Sequence, residues 1–275
     1  MAILCYHAID PEWVSPLAIS SETFRRQCSW LRRHRHPVEL SEAVRHVDRG
    51  GLFPRGMVVL TFDDGFATVY EHAFPILGTS GLPATVFLVA ETLSPEGRTV
   101  DWVAPWDNPP ATPLPTLGLD EILEMQEAGI SFGSHSYSHH DLTRLGEQEC
   151  ERDLRDSREL LESLLGRPVP FLAFPFGRHD ERVRRAARRA GYQHAFSLPD
   201  VPEAADPHAL PRMGVLPQMG LGMLAVKTSS WYPRLRVTPP YAAARRLVGR
   251  ARASHAPGDA VPGQASRPAG GGVGP

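Results

Sequence analysis

The stretch Val58-Val59-Leu60-Thr61-Phe62-Asp63-Asp64-Gly65-Phe66 sets the frame for the whole chain. Five residues of β-branched, aliphatic and aromatic type read as a buried strand, and the run ends abruptly in two adjacent carboxylates followed by glycine. Burying two negative charges at a strand end is costly unless a cation or a proton offsets them. Asp–Gly is also a common turn pair, but a turn accounts for Asp64–Gly65 and not for Asp63 on the strand side. Neighbouring residues on an extended strand point to opposite faces, yet at a frayed end both can face one site. One carboxylate is then available to a metal and the other to act as a base.

Outward from this strand, short apolar runs alternate with helical patterns. The runs Ile3–His7, Met57–Asp64, Ala84–Ala90, Ile130–Ser136, Phe171–Phe176 and His194–Leu198 predict strands, with weaker ones near Pro37–Leu40 and Ala209–Val215. Helices are predicted over Ser21–Arg35, from a cap at Asp120 to Gly129, over Glu147–Leu165 up to Gly166, and over Glu181–Ala190 from a cap at Asp180. Strand, helix, strand in repetition means parallel strands joined by crossover helices. About eight such units make an α/β fold, a closed or nearly closed (β/α) barrel, for which about 250 residues is typical.

Composition agrees. The 275 residues are 42% hydrophobic, enough for a sizeable core. With 29 basic and 31 acidic side chains the net charge is −2, which argues against a nucleic-acid partner. Cys5, Cys28 and Cys150 are odd in number and widely spaced, so neither a disulfide framework nor a thiolate zinc site is expected. Arginine supplies 28 of the 29 basic residues, Lys227 being the exception; compositional bias is the simpler reading, anion recognition the other. No run reaches the roughly 20 apolar residues of a membrane span, and the first residues lack a signal-peptide pattern, so a cytoplasmic location is expected. Residues 1–240 are expected to form one catalytic domain and 241–275, rich in Ala, Arg, Gly and Pro, a low-complexity tail without a core.

Other residues with chemical potential fall at the C-terminal ends of the same predicted strands, the face on which barrel enzymes build their sites. In Gly133–Leu142, GSHSYSHHDL, His135 and His139 offer imidazoles suited to a borderline metal, with His140 and Asp141 as competing ligands. His7 ends the first strand. Phe171–Gly177, FLAFPFG, turns sharply at Pro175 and Gly177 and can present a backbone N–H to a ligand. Arg212 interrupts the apolar run ALPRMGV, and a buried arginine needs an anion, the obvious one being a site carboxylate. The proline-rich segment Ser94–Thr116, with Trp102 and Trp106, reads as a long loop over this face, where either indole is free to stack on a ligand or to anchor the loop.

Together, TFDDG (Thr61–Gly65), HSYSH (His135–His139) and AFPFG (Ala173–Gly177) resemble the three leading motifs of the polysaccharide deacetylase family, also called NodB-homology or carbohydrate esterase 4. The resemblance runs over most of Ile3–Val215. It implies a distorted (β/α) barrel of the NodB-homology type and one divalent metal ion, most often Zn²⁺, held by Asp64, His135 and His139. It also implies Asp63 as general base, with the Phe176 N–H helping to hold the oxyanion. Two departures stand out. Ala173 occupies the place where many members carry an arginine, and no histidine in a Leu-x-x-His motif follows the barrel. The chain looks more like the permuted branch of poly-N-acetylglucosamine deacetylases, in which an N-terminal Tyr-His, here Tyr6–His7, supplies the acid; Arg212 then stands in for the missing arginine. The activity implied is removal of N-acetyl groups from an amino sugar in a polysaccharide, oligosaccharide or glycoconjugate, with Trp106 or Trp102 against a sugar ring. A metal-dependent hydrolase of another amide or ester, and a carbohydrate-binding protein without turnover, are the alternatives. The intact Asp63–Asp64–His135–His139 set disfavours the binder, which has no need of a base beside a metal.

Overall fold

The computed structural model describes residues 2–50, 55–95, 97–100, 102–103, 114–199 and 206–232. Trp106 and the expected tail from 241 onward lie outside the described residues.

The strands are β1 (Ala2–Tyr6), β2 (Ala8–Ile9), β3 (Ala18–Ile19), β4 (His36–Pro37), β5 (Met57–Phe62), β6 (Thr85–Leu88), β7 (Ser131–Ser134), β8 (Phe171–Ala173), β9 (His194–Ser197), β10 (Leu210–Pro211) and β11 (Met213–Gly214). The principal helices are α1 (Ser21–His34), α2 (Leu40–Asp48), α3 (Phe74–Ser80), α4 (Leu119–Glu127), α5 (Glu147–Leu165), α6 (Glu181–Arg189) and α7 (Leu221–Lys227). Nine strands form one all-parallel sheet in the order β10-β9-β8-β7-β6-β5-β1-β11, with β4 on the early part of β5. The two ends of this order are consecutive in the chain. Leu210–Pro211 pairs with β9 while Met213–Gly214 pairs with β1, so one five-residue segment closes the ring and Arg212 sits at the seam.

Side-chain alternation along the strands sorts the core into two parts. Leu4 and Tyr6 of β1 and Val58, Leu60 and Phe62 of β5 pack outward against Phe24, Cys28 and Leu31 of α1. Ile3, Met57, Val59, Phe87, Phe171, Phe196 and Leu210 fill the barrel interior. Thr61 and Asp63 continue the inward row Met57–Val59, so the apolar plug gives way to polar groups at the C-terminal end of the strands.

Several local expectations are corrected. The strand predicted over Ala209–Val215 splits in two because Arg212 turns into the barrel between the halves. The strand at Phe171 ends at Ala173, where Phe174–Gly177 turns. Leu40 begins α2 instead of ending a strand. Asp120 lies inside the first turn of α4, and the cap is Gly118, whose N–H donates to Glu121 at 2.9 Å. Asp180 does cap α6, accepting from the Val183 N–H at 2.8 Å. Helix α5 spans the expected Glu147–Leu165 and ends on left-handed Gly166.

Candidate metal centre and active site

Strand β5 ends at Phe62, and the Asp63 N–H still donates to the Tyr6 carbonyl at 2.9 Å. Asp63 therefore keeps the inward direction of its strand. Asp64 reaches the same site only because its backbone flips to φ 68°, a left-handed conformation that non-glycine residues seldom adopt. The described residues contain four non-glycine residues with positive φ: Asp64, Ser136, His139 and Phe176. All four stand in the three loops that meet above the barrel. Backbone strain of this kind persists where surrounding structure over-determines it, commonly at functional sites.

Asp64, His135 and His139 are buried, and their ligating atoms all lie within 4.8 Å of one another. Asp64 Oδ1 is 3.1 Å from His139 Nε2 and 3.6 Å from His135 Nε2. These separations bring the three donors close enough to share one ion. His135 Nδ1 lies 2.8 Å from the Ala173 carbonyl, an arrangement that makes Nδ1–H the donor and leaves the Nε2 lone pair facing Asp64. Burial pushes the His135 pKa down to about 4, against the opposing pull of Asp63, so the imidazole is neutral and able to ligate at pH 7. A carboxylate and two imidazoles so arranged form a donor set that fits a single Zn²⁺-like ion, and His140, an exposed side chain bonded to Ser138, does not join the set.

Asp63 faces the same space from the barrel side. Its Oδ1 and Oδ2 accept from Arg212 Nη1 and Nη2 at 2.6 and 2.7 Å, a bidentate pair buried on both sides. Burial raises the Asp63 pKa, but the Arg212 and His135 interactions outweigh it and hold the carboxyl well below the usual range. Oδ2 lies 3.9 Å from His135 Nε2 and is thus the oxygen nearer the triad. Arg212 Nη1 also reaches Thr61 Oγ1 at 3.2 Å, and the guanidinium rests 5.2 Å from the Phe87 ring centre. His7 follows β1, half-buried, and the ligating atoms of Cys5, His7 and Asp63 likewise lie within 4.8 Å of one another.

Phe176 forms the third wall. Its left-handed backbone sits in the turn Pro175–Gly177, and its half-exposed ring meets His139 edge to face at 4.8 Å between centres. Trp102 also stacks on the His139 ring at 4.8 Å, and its indole N–H donates to Asp64 Oδ1 at 3.2 Å. This indole anchors the loop against the acidic ligand.

Sequence reading passed over two members. Cys5 is fully buried with its thiol 3.3 Å from Asp63 Oδ2, and burial pushes that thiol's pKa well up. Thr61 shares Arg212 with Asp63. Period-two parity was the available signal, since Thr61 lies two residues before Asp63 on the same strand face and Cys5 is its register partner on β1.

The family model for polysaccharide deacetylases matches residues 51–195. The poly-beta-1,6-N-acetyl-D-glucosamine N-deacetylase of Staphylococcus epidermidis is 26% identical over 208 residues, which cover 71% of this chain and 67% of that protein. The structure of IcaB from Ammonifex degensii superposes with a TM-score of 0.69 at 25% identity, covering 82% of this chain and 96% of that one. The Streptococcus pyogenes deacetylase PplD gives a TM-score of 0.70 at 24% identity, over 83% of this chain and 98% of the other. The last likeness speaks for the barrel alone.

Proposed function

Because the chain belongs to the polysaccharide deacetylase family, hydrolases of carbon–nitrogen bonds other than peptide bonds, we propose that it is a metal-dependent deacetylase releasing acetate from N-acetylglucosamine units of a polymer. The observation that carries this reading is the pairing of two adjacent buried aspartates with different partners: Asp64 with two histidines, Asp63 with a guanidinium. The first set suits a divalent ion, most simply Zn²⁺; the second keeps a carboxylate ionised and aimed. The relative's name, which specifies a poly-N-acetylglucosamine substrate, supports the choice of sugar.

Asp64, His135 and His139 would hold the ion, which would supply Lewis-acid polarisation of the acetamide carbonyl and activation of water. Asp63 takes the proton of the attacking water at Oδ2, the oxygen nearer the triad. Its low proton affinity keeps it ionised, and placement at the water compensates for modest basicity. The Phe176 N–H stabilises the developing oxyanion; loss of one such donor typically costs about 10²–10³ in rate. His7, beside Asp63, hands a proton to the departing amine so that it leaves neutral. Acetate and a free amino sugar result.

The test is to measure bound metal in purified protein, then acetate release from β-1,6-linked and β-1,4-linked N-acetylglucosamine oligomers. About one equivalent of metal and acetate from at least one series is expected. A protein that binds no divalent ion, or that binds one and releases no acetate from either, overturns the proposal.

A further inference from the structure

The loop carrying both histidines is held from behind by helix α5. Asp153 and Ser157 are four residues apart, so they share one face of that helix. Asp153 Oδ1 accepts the Tyr137 N–H at 2.9 Å and Oδ2 accepts the Ser138 hydroxyl at 3.2 Å. The Ser157 hydroxyl pairs with that of Ser134 at 2.8 Å. Ser134 Oγ accepts the Ser136 N–H at 3.1 Å, and Ser136 Oγ accepts the His139 N–H at 3.0 Å. Two short hydrogen-bonded lines therefore run from one helix face to the backbone between His135 and His139.

This anchoring has something to oppose. Ser136 and His139 both have left-handed backbones, at φ 72° and 56°, conformations that are unfavourable for residues other than glycine. A segment holding two such residues keeps its shape only while surrounding partners over-determine it. Asp153 meets the two residues between these strained positions. Neither Asp153 nor Ser157 touches the ligating atoms of the triad.

We infer that Asp153, backed by Ser157, is a positioning residue that sets metal affinity through the conformation of the His135–His139 loop. The inference rests on the metal reading above. Groups outside a ligand shell that orient its members typically change metal affinity about 10–100-fold when removed.

The experiment titrates Zn²⁺ against a competing chromophoric chelator in the full chain and in Asp153→Ala, Asp153→Asn and Ser157→Ala. It also records the melting temperature of each with and without Zn²⁺. Wild-type protein is expected to bind one Zn²⁺. Asp153→Ala is expected to weaken binding about 10–100-fold and to shrink the metal-induced rise in melting temperature. Asp153→Asn retains an oxygen for the Tyr137 N–H and an amide that can donate to Ser138, and is expected to restore most of the affinity. Ser157→Ala, which empties the second line, is expected to weaken binding less than Asp153→Ala. Should Asp153→Ala fail to fold, Ser157→Ala still decides, since wild-type affinity in that variant overturns the inference. A folded Asp153→Ala that melts lower but binds Zn²⁺ as wild type does has lost only a structural contact, which also overturns it. Wild-type protein that binds no Zn²⁺ removes the metal reading itself, a result distinct from undiminished binding in the variants.

Discussion

Arg212 grips both carboxylate oxygens of Asp63 from 149 residues away, at 2.6 and 2.7 Å, in the closing seam of the barrel. The pair couples closure of the ring to the orientation of the candidate base. Leu210–Pro211 and Met213–Gly214 bind opposite edges of the sheet, so the guanidinium between them is placed by backbone on both sides. Arg212→Ala leaves a buried carboxylate unpaired and is expected to destabilise the fold by about 3–5 kcal/mol. Arg212→Lys keeps the charge but cannot make the bidentate contact. Acetate release by the lysine variant is expected to fall at least about tenfold, mostly in kcat; full activity would remove bidentate positioning from the mechanism.

Asp63→Asn separates the two aspartates by role. The triad retains Asp64, so Zn²⁺ content is expected to stay at one equivalent, while acetate release falls by roughly 10²–10⁴. The new amide sets an NH₂ against one Arg212 nitrogen, so a lower melting temperature accompanies the loss. Metal analysis and turnover on one preparation check both halves; retained turnover eliminates Asp63 as the base.

His7→Ala is expected to lower kcat about 10²-fold or more with little change in KM or metal content. His7 stands outside the triad and beside Asp63. Near-wild-type turnover would assign protonation of the amine to another group.

The metal-free protein is expected to lose stability between about pH 6.5 and pH 4. Burial depresses the folded-state pKa of His135 to about 4, whereas an unfolded histidine titrates near 6.5. Across that window the unfolded chain binds a proton that the folded one does not, so stability falls as pH falls, by up to roughly 3 kcal/mol at the lower end. Urea unfolding of chelator-treated protein at several pH values measures this. His135→Gln, which lacks the titrating group, should show a flatter profile; parallel curves would refute it.

Gly177→Ala tests the turn that carries Phe176. The residue has φ 67°, and an added Cβ meets Leu198 N at 2.6 Å and Leu198 Cβ at 2.4 Å. Neither backbone nor Cβ of β9's end can swing aside as a long side chain does. A drop of several degrees in melting temperature is expected, with acetate release falling further than Zn²⁺ binding because the Phe176 N–H moves.

Much of the site is legible along the chain because parallel strands alternate with helices. In that arrangement all C-terminal strand ends share one rim, so His7, Asp63–Asp64, His135–His139 and Phe176 can be assigned to one site before any coordinates. Helix α5 is legible for a different reason, since its apolar spacing and terminal glycine are local signals. The short strands β2 and β3 and the split of β10 from β11 are not, because two-residue pairings carry too little pattern to rise above the loops around them.

The linear sequence by itself determined the parallel α/β barrel, the rim on which chemistry collects, and the residue types Asp63, Asp64, His135 and His139 that meet there. Only the tertiary structure shows which partners each carboxylate meets. Asp63 turns inward to Arg212 because it continues the alternation of β5, whereas Asp64 joins the histidines through a left-handed backbone that no period reveals. Tertiary structure alone also brought Cys5 and Asp153 to their partners, and chose Asp63 as the site carboxylate that Arg212 was expected to meet. Periodicity records which face a residue takes on its own element, but a hydrogen bond between side chains far apart in the chain depends on how the elements close on one another.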